Sequence, residues 1–267
     1  SLETIVGTAK NEVAVAPGML HRTWTKDDRH YYHYKTDAPI GGEYAILSGD
    51  YAVQESKWKD VAIRIYYHPN HALNINRMLR SVKASLAYYT EHFGPYPFGH
   101  VTIVEGAGTG DGASADASII YYGEQYSLFN PDDSPNGFDL PYYILAHEIA
   151  HQMGYASETE ANFIAYVTAA KSGDPLLRYS MLLQMFTYAQ DAQLLLLAGT
   201  KGYDSWKAQI AKNKALLSPA VLKDRLAIRA FFSARAGKQI EASTQLYDQF
   251  LKWNQQKDGM EGYSKFV

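Results

Sequence analysis

The spacing of apolar residues changes near residue 138, and this change favours folds that join a sheet to a separate helical part. Before it, Val61–Tyr67 alternates with the period of two that is typical of a half-buried strand. Short extended segments are also predicted at residues 13–15, 30–35, 44–54, 101–104 and 118–122. After it, the chain has the pattern of successive helices. The predicted class is therefore α+β, with a mixed twisted sheet followed by an all-helical C-terminal half.

The length of 267 residues allows one large domain or two modest ones. Three regions are predicted. Residues 1–40 are the remnant of a β-rich N-terminal domain or extended strands, residues 41–172 are a catalytic α/β core, and residues 173–267 are a helical subdomain. The core contains one early helix at residues 71–92, which Gly94 and Pro95 end.

Charge and composition narrow the classes of function. The net charge is −3 and the sequence has no dense basic stretch, so nucleic-acid binding is disfavoured. The chain has no cysteine, so any metal would be bound by His, Asp or Glu. The most apolar region, residues 176–199, is interrupted by Arg178 and Asp191, whereas a membrane span needs about 20 apolar residues.

The sequence His147-Glu148-Ile149-Ala150-His151 lies within a segment of strong helical character at residues 139–154, with Asp139 as the predicted N-cap. Residues four apart share one face of a helix, so both imidazoles can converge on one ion. Glu148 is rotated away from them and can instead reach a water on that ion. The pattern predicts a site for one Zn²⁺ ion, with His147 and His151 as ligands and Glu148 as general base. The alternative is a chance match on an amphipathic helix.

A catalytic zinc site needs a third protein ligand, and two glutamates follow the motif. Glu158 and Glu160 begin the next predicted helix, Glu158–Lys171, and residues two apart on a helix point in nearly opposite directions. Ser157 and Glu160 fit a capping box, which gives Glu160 a structural role. Glu158 shares a small, polar stripe with Asn162, which can support a ligand from behind. Glu158 is therefore the preferred ligand and Glu160 the alternative.

The residues quoted above, together with several longer stretches, resemble the gluzincin peptidases of the aminopeptidase N-like family, most closely the peptidase domains fused to bacterial ABC-transporter permeases. The similar stretches are residues 66–69, 77–98, 101–106 and 141–152. In that family a Ser-Glu-Thr-x-Ala segment carries the third ligand, and residues 157–161 match it, which again selects Glu158. The resemblance implies a thermolysin-like core and peptide hydrolysis by a zinc-activated water.

Two features depart from that family. Only six residues separate His151 from Glu158, fewer than is usual there. The Gly-x-Met-Glu-Asn signature of exopeptidases is missing, and residues 108–114 stand in its place. Aminopeptidase activity is therefore not expected. From His147 onward the chain is also similar to uncharacterised bacterial membrane-anchored proteins with a zinc-peptidase motif, on residues 147–166, 178–180 and 247–263.

Both resemblances imply further roles. A tyrosine stabilises the oxyanion in such enzymes, and Tyr179 is the candidate. The strand containing Ser118, Ile119 and Ile120 resembles the edge strand that aligns a substrate by backbone pairing. A peptide or protein substrate is expected, with membership of a membrane-anchored or transporter-associated protein as a further expectation. The resemblance favours an extracytoplasmic location, periplasmic or at the cell surface, and leaves a cytoplasmic one open.

Three hypotheses of function follow. The first is a zinc metallopeptidase. The second is a zinc-binding pseudopeptidase or interaction module of a transporter or envelope complex, and the third is a small-molecule or lipid-modifying hydrolase on the same zinc chemistry. Glu148 separates the first two, because a purely structural zinc site has no need of that carboxylate.

Overall fold

The computed structural model describes residues 1–41, 44–106, 113–123, 140–200 and 202–235. Strands dominate its first half and helices its second, so the predicted α+β class is confirmed. The described residues form two compact units, one up to Tyr155 and one from Ala156 onward. The domain boundaries predicted after residues 40 and 172 stay a prediction.

The first unit begins with two small antiparallel sheets. Their strands are β1 (Glu3–Thr8), β2 (Val13–Val15), β3 (Met19–Lys26), β4 (Arg29–Lys35) and β5 (Leu47–Gly49). One sheet has the order β1-β4-β3, and the other pairs β2 with β5. The buried Tyr34 hydroxyl donates to the Ala14 carbonyl at 2.7 Å, which joins the two sheets. Gly7 faces Tyr31 across the strands, and a Cβ there would lie 2.8 Å from the ring. That close approach explains the glycine.

A five-stranded mixed sheet forms the centre of this unit. Its strands are β6 (Ala52–Trp58), β7 (Val61–Tyr67), β8 (His100–Gly106), β9 (Ala113–Asp116) and β10 (Ile119–Gly123), in the order β6-β7-β8-β10-β9. Strands β7, β8 and β10 are parallel, whereas β6 and β9 run antiparallel to their neighbours. The prediction for Val61–Tyr67 is confirmed with the same bounds. Its inward-facing Ile63 and Ile65 are completely buried, as the alternation requires.

The strand order corrects the predicted position of Ser118, Ile119 and Ile120. Ile119 and Ile120 are buried in β10, which lies between β8 and β9 and so is not a sheet edge. Ser118 precedes the strand, and its Oγ lies 2.7 Å from Nε2 of the buried His100. The backbone of β10 is paired on both sides, so it has no free edge to offer a substrate. Among the described strands, β9 is the edge on this side.

Two helices complete the unit, α1 (Ile75–His92) and α2 (Leu140–Gln152), and they contact each other. Helix α1 starts later than predicted because Pro69–Asn74 forms a 3-10 turn with a non-helical residue at His71. The buried Glu105 of β8 holds this turn by accepting from the His68 backbone at 2.6 Å and by contacting Nδ1 of His71. Helix α1 ends before Gly94, whose φ of +119° confirms its predicted role.

The second unit is helical throughout its described part. Its helices are α3 (Glu158–Lys171), α4 (Pro175–Thr200), α5 (Gly202–Ala215) and α6 (Pro219–Arg235). Helix α3 has the predicted bounds. Helix α4 contacts both α3 and α5, and Asn213 of α5 donates to Gln193 of α4 at 2.9 Å. Within the described residues, no helix has the length and apolar character needed to cross a membrane.

Candidate metal centre

Helix α2 places its two histidines on one face, one turn apart. The Nε2 atoms of His147 and His151 lie 3.0 Å apart, and their rings are nearly perpendicular. Two imidazole nitrogens on a tetrahedral zinc ion are separated by roughly 3.3 Å, given zinc–nitrogen bonds of about 2.0–2.1 Å. The helix therefore presents two donor atoms at nearly the spacing that a shared metal requires.

The end of α2 determines which nitrogen of His151 faces that point. Gly154 adopts a φ of +102°, the left-handed conformation that glycine favours, and so ends the helix. Gly154 donates to the His151 carbonyl at 2.9 Å, and Tyr155 donates to the Ala150 carbonyl at 3.2 Å. These two bonds form a Schellman motif, which turns the chain back over the last turn of the helix.

This turn brings the Tyr155 carbonyl within 2.7 Å of Nδ1 of His151. A carbonyl oxygen can only accept, so Nδ1 carries the proton and donates it. In the neutral ring the lone pair is then on Nε2, the nitrogen that faces His147. Histidine ligands of metals in proteins usually have their second nitrogen bound in this way.

Glu158 supplies the third donor atom. Its carboxylate and the two histidine nitrogens lie within 4.8 Å of one another, and its residue is only 3% exposed. Two imidazoles and one carboxylate make up the ligand set of several zinc hydrolases, with one position left open for water or substrate. The chemistry of the donors and the proton position on His151 both fit a zinc ion.

The alternative ligand, Glu160, is exposed and is not part of this group within the described residues. Its predicted partner Ser157 does occupy the N-cap of α3, with φ −79° and ψ 132°, but makes no side-chain capping hydrogen bond. The predicted capping box is therefore not formed, and only its position is correct. Asn162 is completely buried one turn after Glu158, on the same face of α3.

Glu148 lies between the two histidines in sequence but outside the group of donor atoms. It is buried, with 5% of its surface exposed. A buried carboxylate that adjoins a candidate ligand in sequence, and is not itself among the donor atoms, is the residue type that a general base requires. The predicted N-cap Asp139 and residues 108–112 lie outside the described residues.

Tyr179 has a partner that the sequence did not predict. It lies on α4, and its hydroxyl donates to Asp224 of α6 at 2.5 Å. Burial, followed by this hydrogen bond, raises the pKa of Tyr179 to about 12. The single hydroxyl proton of Tyr179 is therefore directed at Asp224, and its role toward an oxyanion stays a prediction.

Tyr179→Phe separates these two roles. We expect the free energy of unfolding at pH 8 to fall by about 1 kcal/mol, because one hydrogen bond to a carboxylate is lost. The raised pKa means that this stability is present below pH 10 and is lost as the pH rises toward 12. Urea unfolding of the variant and the wild type at pH 8 and near pH 12 measures the difference in free energy of unfolding. Tyr44→Phe, at an exposed position, is the control. A fall in peptide cleavage of a hundredfold or more would instead support the oxyanion role.

Two tyrosines that support α2 were not predicted from the sequence. The buried Tyr89 of α1 donates to the Ala146 carbonyl at 2.6 Å, and the buried Tyr96 donates to Gln152 at 2.7 Å. Their signal was present in the resemblance over residues 77–98, which extends to these tyrosines. The Tyr155 carbonyl carries no such signal, because every residue has a carbonyl.

Comparison with known proteins adds one family. The family model described as "Protein of unknown function (DUF3810)" matches residues 129–267, just over half of the chain. The matched range contains all three donor residues and Glu148. Among curated proteins, no significant match is found.

Proposed function

The chain belongs to the DUF3810 family, and we propose that it is a zinc-dependent metallopeptidase whose ion is held by His147, His151 and Glu158. The observation that carries the proposal is the convergence of these three donor atoms next to a buried glutamate that is not one of them. A site with only a structural purpose does not account for Glu148. We also propose that the core is thermolysin-like, on the strength of the gluzincin resemblance.

In the proposed reaction, a zinc ion would polarise the substrate carbonyl and lower the pKa of a bound water. Glu148 accepts a proton from the attacking water and passes it to the nitrogen of the departing amine. His147, His151 and Glu158 would bind the ion. Tyr155 contributes through its carbonyl, which keeps the proton of His151 on Nδ1.

Strand β9 is the proposed place for the substrate backbone. It is the edge of the five-stranded sheet on the side of β10, and it contacts α2. An extended peptide can add to such an edge through main-chain hydrogen bonds. The proposed role of β9 replaces the one predicted for β10.

We propose an extracytoplasmic location, as part of a membrane-anchored or transporter-associated protein. The support is the resemblance of the chain to peptidase domains of transporter permeases and to membrane-anchored zinc-peptidase relatives. Cell fractionation of the native organism tests it, and recovery of the protein in the cytoplasmic fraction alone would count against it.

Metal analysis and a peptide digest test the proposed function directly. We expect about one zinc per chain in the purified protein, because two imidazoles and a carboxylate form a complete ligand set. A peptide library should be cleaved by this protein, protected by a chelator, and cleaved again after zinc is restored. Protein without stoichiometric zinc would contradict the proposal. Zinc without cleavage of any peptide would favour the interaction module or a hydrolase of another substrate class.

A further inference from the structure

Gln152 is the last residue of α2 and directly follows the ligand His151. It is buried, with 7% of its surface exposed, and its amide makes two hydrogen bonds in opposite directions. Its Nε2 donates to the main-chain oxygen of Asp116 at 3.2 Å. Its Oε1 accepts from the Tyr96 hydroxyl at 2.7 Å.

The first of these bonds joins the metal-ligand helix to the sheet edge. Asp116 is the last residue of β9, and it pairs with Ile119 of β10 at the closed end of their hairpin. Strand β9 has only four residues and one strand neighbour among the described strands. An edge strand this short has few hydrogen bonds of its own to hold it, so one added bond contributes substantially to its position.

The second bond determines how the Gln152 amide is oriented. An amide can present either its oxygen or its nitrogen to a neighbour, and the two orientations are nearly equal in shape. The Asp116 carbonyl can only accept, so the amide nitrogen must face it, and the oxygen is left for the Tyr96 hydroxyl, which donates to it. The bond from Tyr96 therefore holds the amide in the orientation that Asp116 requires.

We infer that Gln152 is a positioning residue, oriented by Tyr96, which sets the place of strand β9 relative to the helix that carries His147 and His151. The inference rests on the proposed function for its consequence in catalysis, because β9 is the strand on which an extended substrate would lie. The consequence for the strand itself does not depend on that function.

Two substitutions at Gln152 and one at Tyr96 test the inference. Gln152→Met keeps the length of the side chain and removes both hydrogen bonds. Gln152→Glu keeps the acceptor for Tyr96 but places a carboxylate oxygen against the Asp116 carbonyl. Tyr96→Phe removes only the orienting bond and serves if a Gln152 variant does not fold. Gln54→Met on β6, whose amide donates to the neighbouring Glu55 carbonyl, is the matched control.

The first measurement is hydrogen–deuterium exchange of the purified zinc-loaded protein. We expect exchange of the Ala113–Asp116 amides to accelerate about five- to tenfold in both Gln152 variants, the effect of one lost buried hydrogen bond. Tyr96→Phe should give a smaller acceleration, and Gln54→Met none in this segment. Unchanged exchange at Ala113–Asp116 in both Gln152 variants would overturn the inference, whatever their activity.

The second measurement is the dependence of KM on substrate length. With a decapeptide as substrate, we expect the KM of Gln152→Met to be about fivefold higher than that of the wild type. With a tripeptide, which is too short to pair along β9, we expect KM and kcat to change less than twofold. An equal fall in kcat for both peptides, with zinc still bound, would show general damage to the site and contradict a positioning role. If the wild type cleaves neither peptide, the proposed function fails and the exchange experiment still decides the inference.

Discussion

Replacing Glu148 by Gln is expected to reduce peptide cleavage by about a thousandfold, within the range that general acid–base catalysis supplies. Glutamine has nearly the same shape but cannot accept the proton of the attacking water. Since Glu148 is outside the group of donor atoms, the zinc content should remain that of the wild type. The measurement is kcat/KM on a peptide from the library digest, together with metal analysis of the same sample.

Glu91→Gln is the matched control, because it makes the same chemical change on the exposed surface of α1. Its activity should equal that of the wild type. Unchanged turnover in Glu148→Gln would contradict the proposed mechanism. Loss of zinc along with activity would mean that Glu148 takes part in holding the metal.

Replacing Glu158 by Ala is expected to weaken zinc binding by two orders of magnitude or more. Mutating a residue that hydrogen-bonds to a metal ligand lowers metal affinity about 10- to 100-fold. Mutating the ligand itself should lower it at least as much. The same change at Glu160, which is exposed and two residues away, should leave affinity unchanged. Competition with a chromophoric chelator measures both values.

The stability of the metal-free proteins shows whether a loss of zinc affinity is caused by misfolding. Glu158 is buried, so circular dichroism and thermal unfolding of the metal-free Glu158→Ala and wild-type proteins are compared before their zinc affinities are interpreted. If Glu160→Ala loses zinc and Glu158→Ala retains it, the ligand assignment is reversed.

Local patterns in the sequence predicted the elements well where a single periodicity governs them. Val61–Tyr67 and Glu158–Lys171 have their predicted bounds, because a sheet face and a buried helix face each repeat along the chain. The spacing of His147 and His151 likewise follows from helix geometry alone. Glu158 required more than spacing: it was preferred because of the polar stripe that it shares with Asn162 and because of a capping role predicted for Glu160, and the capping box is not formed.

The wrong predictions concern elements whose position depends on residues distant in sequence. Strand β9 has no apolar alternation in Ala113–Asp116, so nothing local indicates that it covers β10 and takes the sheet edge. The late start of α1 depends on Glu105, which is more than thirty residues from His68 and His71. The Ser157 capping bond fails for a different reason, since a compatible residue at the N-cap does not dictate the rotation of its hydroxyl.

The Schellman motif at the end of α2 bears on which residues determine metal affinity in the proposed site. The backbone bonds that end the helix place the Tyr155 carbonyl against the ring of His151, so the ring loses its rotational freedom during folding and not on metal binding. A zinc ion that binds as proposed would then meet a preorganised donor, and less ordering entropy would be lost on binding. Mutational drift around Gly154 and Tyr155 would thus alter metal retention without touching any ligand, and selection for zinc would act on residues that never contact it.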